Sequence, residues 1–134
     1  MNNETRSRLG WIVLRIALAG LIAAHGWYRL LTGGSQGFGG WLESQGVPFG
    51  LYVAWGITLL EVAGSALLAL GIAVLPITLM LVPIYLAGIV MVHAPAGWFV
   101  VGAGRNGAEY SVLLIVCLLC VGLQHLPVRK GSAS

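Results

Sequence analysis

The chain has 134 residues, of which 58% are hydrophobic and only 8% charged, with a formal net charge of +3 and a mean hydropathy of +0.92. Soluble domains carry roughly a quarter of their residues as charges, so this composition excludes a water-soluble globular domain. The length allows an integral membrane protein of about four spans and no large soluble machinery, with the lipid bilayer as its first partner and no nucleic acid.

In chain order, a polar arm carrying Arg6 and Arg8 precedes a first span over about 10–31. A signal peptide is the rival reading of this stretch. Its internal arginine, and an apolar run longer than the usual roughly 7–15 residues, argue for a retained helix. Within it Arg15, Leu18, Ile22, His25 and Arg29 recur at steps of three and four, which gathers the ionisable groups on one stripe. For Arg15 and Arg29, two readings stay open: a packing face, or snorkelling to the two interfaces.

Residues 32–47 are rich in glycine and lack a basic residue, as an outer loop should. Phe38, Trp41 and Leu42 fall at helical spacing, which predicts a short amphipathic helix on the outer membrane surface, with Glu43 toward water. A substrate lid is the alternative. The second span, about 49–70, contains a single carboxylate, Glu61. An ionised carboxylate at the centre of a membrane helix costs on the order of 3 kcal/mol, so Glu61 and its face of Ile57, Thr58, Gly64 and Ser65 should pack inward.

Gly71 closes that span and makes a tight turn to the third, about 72–92. Pro83, in the interior of the third span, lacks a backbone donor and clashes with the Leu79 carbonyl, so a kink is expected. A second loop over 93–107 supplies His93, Trp98, Phe99 and Arg105. Glu109 opens the fourth span, about 109–126, and Pro127 stops it. Arg129 and Lys130 follow; with Arg6 and Arg8 they place both termini in the cytoplasm by the positive-inside rule. The predicted fold is all-α: one domain over 1–134, an antiparallel four-helix membrane bundle.

At about 1.5 Å per residue, Glu61 and Arg15 differ by only about 5 Å in height. They are expected to form a buried charge pair, structural or proton-relaying. His25, Arg29, His93, Arg105 and Glu109 belong to the outer half. They predict either a vestibule for a quinone head group, with His25 accepting a proton and Arg29 donating a hydrogen bond, or a set of pairs that lock the bundle. Cys117 and Cys120 form a C-x-x-C among leucines with no positive partner, so they read as inert. No metal motif is present, and a haem held by His25 and His93 is disfavoured by a height difference of about 9 Å. Gly20 with Ala24, and Ser65 with Ala69, offer close-contact faces within or between protomers, so a homo-oligomer is open.

Several pieces occur in a characteristic order: Leu14-Arg15-Ile16-Ala17-Leu18, His25-Gly26, Gly37-Phe38, Trp41-Leu42, Gly46-Val47-Pro48, Glu61, Gly64, Leu70-Gly71, His93, and Gly107 with Glu109-Tyr110. In this the chain resembles the DoxX family of small bacterial membrane proteins. The end, Gly122-Leu123-Gln124-His125-Leu126-Pro127, departs from the family's Gly- and Arg-containing tail. The resemblance implies a bacterial inner-membrane protein. It leaves two functions open: a quinone-interacting, redox-linked subunit working with a soluble oxidoreductase, or a non-enzymatic scaffold, assembly factor or small-solute conduit.

Overall fold

The computed structural model describes residues 1–127. Arg129 and Lys130, half of the topology argument, lie outside the described residues. The described chain forms five helices: α1 (Asn3–Thr32), α2 (Gly34–Ser44), α3 (Gly50–Leu70), α4 (Val74–Ala96) and α5 (Glu109–Gln124). Helices α1, α3 and α4 are long and apolar enough to cross a membrane, whereas α5 is apolar but shorter, at 16 residues. Their outward faces carry large apolar side chains such as Leu31, Leu70 and Val90, each at least 70% exposed. A soluble protein would hide these groups; a hydrocarbon solvent accepts them.

The turn after α3 follows the sequence expectation. Gly71 adopts φ +77° and donates its N–H to Leu68, while the Ile72 N–H reaches back to the Leu67 carbonyl. That pairing satisfies the last carbonyls of α3 and reverses the chain within three residues.

The segment predicted as an outer surface helix behaves differently. Helix α2 is present, but Gly33 (φ +69°) only breaks the chain between α1 and α2, and α2 then runs antiparallel along α3. Ser35 meets Thr58, and Gly39 meets Gly50 and Leu51. A Cβ added at Gly39 would sit 2.6 Å from the Leu51 Cα, so these backbones touch because neither contact glycine has a side chain. The glycines read as loop formers are therefore a helix contact. Phe38 and Trp41 of α2 face the cavity inside the bundle.

The close-packed core lies in the half of the bundle that contains the α3–α4 turn. Leu18, Ala19 and Ile22 of α1, Leu68 of α3, Val74, Ile77 and Leu81 of α4, and Leu114, Leu118 and Val121 of α5 form one buried cluster. Cys117 packs at its edge, and both cysteines are free. In the other half α3 packs on α2 and α1 while α4 packs on α5, and a cavity lies between these two groups of helices.

Candidate functional site

Glu61 lies eleven residues after Gly50, about 17 Å along a helix of about 32 Å, and is 3% exposed. The helix widens there into a π turn over Leu60–Gly64, and a second π turn over Ile89–His93 carries His93. Such turns insert a residue into the α ladder and concentrate at functional sites.

The partner of Glu61 is Arg29, which forms an ion pair with it through Nη2 and Oε2. The expected Arg15–Glu61 pair is not formed. Gly26 sets the height: α1 crosses α3 with Gly26 against Thr58, Glu61 and Val62, which puts Arg29, one turn further on, beside the carboxylate. Arg29 is thus neither at the outer rim nor snorkelling. Arg15 lies at the other end of α3. There its Nη2 donates to the Ala69 carbonyl at 3.4 Å and its Nη1 to His125 Nε2 at 3.2 Å. His125 Nδ1–H in turn donates to the Val121 carbonyl at 2.9 Å, because a carbonyl can only accept and an arginine can only donate. Arg15 therefore ties together the C-terminal ends of α3 and α5, where a cation complements the helix dipoles.

Around the ion pair the hydrogen bonds form a directed chain. The Thr58 hydroxyl donates to the Ala54 carbonyl (2.8 Å) and so can only accept from Arg29 Nε (3.1 Å) and from the Ser35 hydroxyl (3.2 Å). The Tyr85 hydroxyl donates to the second carboxylate oxygen, Oε1, at 3.3 Å. The Phe38 ring lies 5.1 Å from the Arg29 guanidinium carbon and stacks on Trp41, a cation–π contact made by the helix expected at the surface. Arg29 Nη1 has no protein acceptor among the described residues, so its N–H groups remain free for a ligand.

Arg29, Glu61, Tyr85, Phe38 and Trp41 line one side of a cavity of about 640 Å³, a volume typical of small-molecule sites. His25 and His93 also line it. The remainder is largely apolar: Leu42, Val53, Ile57, Pro83, Ile84 and Met91, with the Tyr110 ring nearby. His93 Nδ1–H donates to the Asn106 carbonyl at 2.9 Å, which in the neutral ring leaves Nε2 as the acceptor.

Of the five residues expected in the vestibule, His25, Arg29 and His93 line this cavity, whereas Arg105 and Glu109 do not. Arg105 is exposed, and Glu109 accepts the Val100 N–H at 2.9 Å. That bond fastens the 97–108 loop, which turns back on itself through Gly107 N–H to Phe99 and Ala108 N–H to Gly97. Glu61 joins the site as its buried acid. Tyr85, Phe38 and Trp41 are additions that the sequence reading did not place there. A tyrosine inside an otherwise apolar span was the available signal, because its hydroxyl needs a partner. Among the described residues no cluster of three His, Cys, Asp or Glu side chains could hold a metal.

The DoxX family model matches residues 10–94, which takes in α1 from Gly10 onward, all of α2 and α3, and nearly all of α4. No curated protein and no solved structure matches the chain.

Proposed function

The chain belongs to the DoxX family of membrane proteins, and from that premise we propose that it binds a quinone-like molecule from the bilayer as a redox-linked subunit of a membrane-associated oxidoreductase. One observation carries the reading: a largely apolar cavity of about 640 Å³ that presents, at one place, an arginine with free donors and a buried carboxylate. An isoprenoid-type ring and tail suit the apolar wall; a carbonyl oxygen suits Arg29 Nη1.

In this reading α1 with α2, α3, α4 and α5 are the four antiparallel spans of one domain in a bacterial inner membrane, with both termini cytoplasmic. A soluble oxidoreductase supplies the electrons. Reduction of a quinone to a quinol takes two electrons and two protons. Arg29 orients a carbonyl oxygen. Tyr85 can pass its hydroxyl proton to that oxygen; a proton drawn from the outer water by way of His25 and His93 then reaches the Glu61 carboxylate, which returns it to Tyr85, and a second such cycle supplies the second proton. A homo-oligomer is compatible with the exposed Gly20–Ala24 face of α1.

The alternative is a scaffold, assembly factor or small-solute conduit, and the pairing of Arg29 with Glu61 favours it, since paired charges can serve packing alone. Mass spectrometry of organic extracts from gently purified protein separates the two. Stoichiometric quinone in the wild type and its loss in His25→Ala, at unchanged helicity and elution volume, is the expected result. His25 suits the comparison because it is exposed and makes no protein hydrogen bond among the described residues. Absence of quinone from the wild type would overturn the redox reading and leave the scaffold.

A further inference from the structure

At the opposite end of the bundle lies a second, wholly separate concavity, of about 810 Å³ and lined mainly by α1. Glu4, Ser7, Arg8, Trp11, Ile12 and Arg15 follow one another at steps of three and one, so they form a single stripe of that helix. Gln124 and His125, at the end of α5, form the facing wall. Arg15 marks the level at which α3 and α5 end, through its bonds to Ala69 and His125. Helix α1 begins twelve residues earlier, at Asn3, and so projects about 18 Å past that level.

The chemistry of the stripe changes with distance along this projection. Trp11 stands about 6 Å beyond Arg15, and Arg8 about 10 Å beyond it. Two guanidinium groups therefore bracket an indole at the depth where hydrocarbon gives way to headgroups, the level at which tryptophan settles. The Arg15 Nη1 and Nη2 each carry two N–H groups and each meets one protein acceptor, His125 Nε2 and the Ala69 carbonyl, so donors remain for an anion in the groove. The one opposing charge in the lining, Glu4, lies a turn beyond Arg8, at the far end.

We propose that this groove binds an anionic phospholipid, with the phosphate held between Arg8 and Arg15 and one acyl chain descending along Trp11 and Ile12. A soluble anion would need the arginines but not the apolar wall at headgroup depth. A zwitterionic lipid would bring its own cation into a groove already positive. The site rests on neither the quinone reading nor the orientation of the bundle, since its ligand is defined by the leaflet it meets.

The test uses the full-length protein in phosphatidylcholine vesicles, with spin-labelled phosphatidylglycerol or spin-labelled phosphatidylcholine as the probe lipid. A basic residue near a membrane surface is worth roughly a fivefold preference for anionic lipid. The wild type should prefer phosphatidylglycerol by at least that factor. Arg8→Gln should lower the preference roughly fivefold, Arg8→Lys should retain most of it, and Glu4→Gln should raise it. Arg6→Gln, which alters a residue outside the groove lining, should lower it by clearly less than Arg8→Gln does. Equal losses in Arg6→Gln and Arg8→Gln would show a diffuse surface charge and overturn the site. Displacement of the labelled lipid by glycerol 3-phosphate would overturn the lipid in favour of a soluble anion. Arg8 is exposed and makes no side-chain bond among the described residues, so its variants test binding without disturbing the fold.

Discussion

The Arg29–Glu61 pair makes a quantitative prediction about stability. Both groups lie near mid-height of α3, with side chains 18% and 4% exposed. Removing one partner from such a pair strands the other charge, at a cost of about 3–5 kcal/mol. Arg29→Met should fall at the lower end, about 3 kcal/mol, because Tyr85 still donates to the stranded carboxylate. Glu61→Gln should cost less, about 2 kcal/mol, because Arg29 keeps Thr58 and the Phe38 ring. The double variant buries no charge at this site and should cost about 2 kcal/mol, well short of the roughly 5 kcal/mol that simple addition gives. The resulting coupling of about 3 kcal/mol corresponds to a factor of more than 100 in the unfolding equilibrium. Reversible unfolding in mixed micelles, followed by helicity, measures all four proteins of the cycle. Additivity within about 0.5 kcal/mol would refute the reasoning, because it would mean that the two side chains do not share one buried interaction.

Three further outcomes follow from other contacts. Gly39→Ala places a methyl group 2.6 Å from the Leu51 Cα and should destabilise the protein by about 1–3 kcal/mol, read as a lower unfolding midpoint. Gly71→Ala meets both a left-handed backbone and the Arg15 guanidinium 2.9–3.0 Å away; a loss of about 1–2 kcal/mol in the same assay is expected, and a neutral result would refute the turn geometry. Tyr85→Phe removes only the hydroxyl that reaches Glu61 and should cost about 1 kcal/mol, while lowering quinone retention in the extraction assay if Tyr85 serves the proton path.

Much of the architecture was legible because lipid imposes a simple rule: long apolar runs become helices, and a lone carboxylate among them turns inward. The runs around Leu18, Leu68 and Leu81 declared α1, α3 and α4, Gly71 declared the turn, and Glu61 declared itself buried. The partner of Glu61 was not legible, because height arithmetic assumed that residues 32–47 lay outside the membrane. In the folded protein Gly26 lies against Thr58, Glu61 and Val62, which brings Arg29, not Arg15, level with the carboxylate, and α2 continues along α3. Glycine spacing cannot by itself distinguish a loop from a close helix contact, since both uses need the missing side chain. The π turns at Leu60–Gly64 and Ile89–His93 left no signature either, because they follow from how the two helices settle against their neighbours. Arg105 and Glu109 were grouped with the vestibule by their place in the outer half, but Glu109 accepts the Val100 N–H and so fastens the loop, while Arg105 is exposed.

The interruption at Gly33 has a mechanical consequence. A helix of 30 residues such as α1 is about 45 Å long, more than the roughly 30 Å of hydrocarbon it must cross. The bonds at the interruption stay on their own sides: Gly33 N–H and the Thr32 hydroxyl return to Arg29 and Tyr28 of α1, while Gln36 N–H returns to Gly33 at the start of α2. The angle between α1 and α2 can therefore change without breaking any of these bonds. In thicker or thinner bilayers a bend at this residue must carry α3 with α2, because Ser35 and Gly39 hold the two helices together, so the adjustment falls on the cavity half of the bundle and spares the close-packed half from tilting.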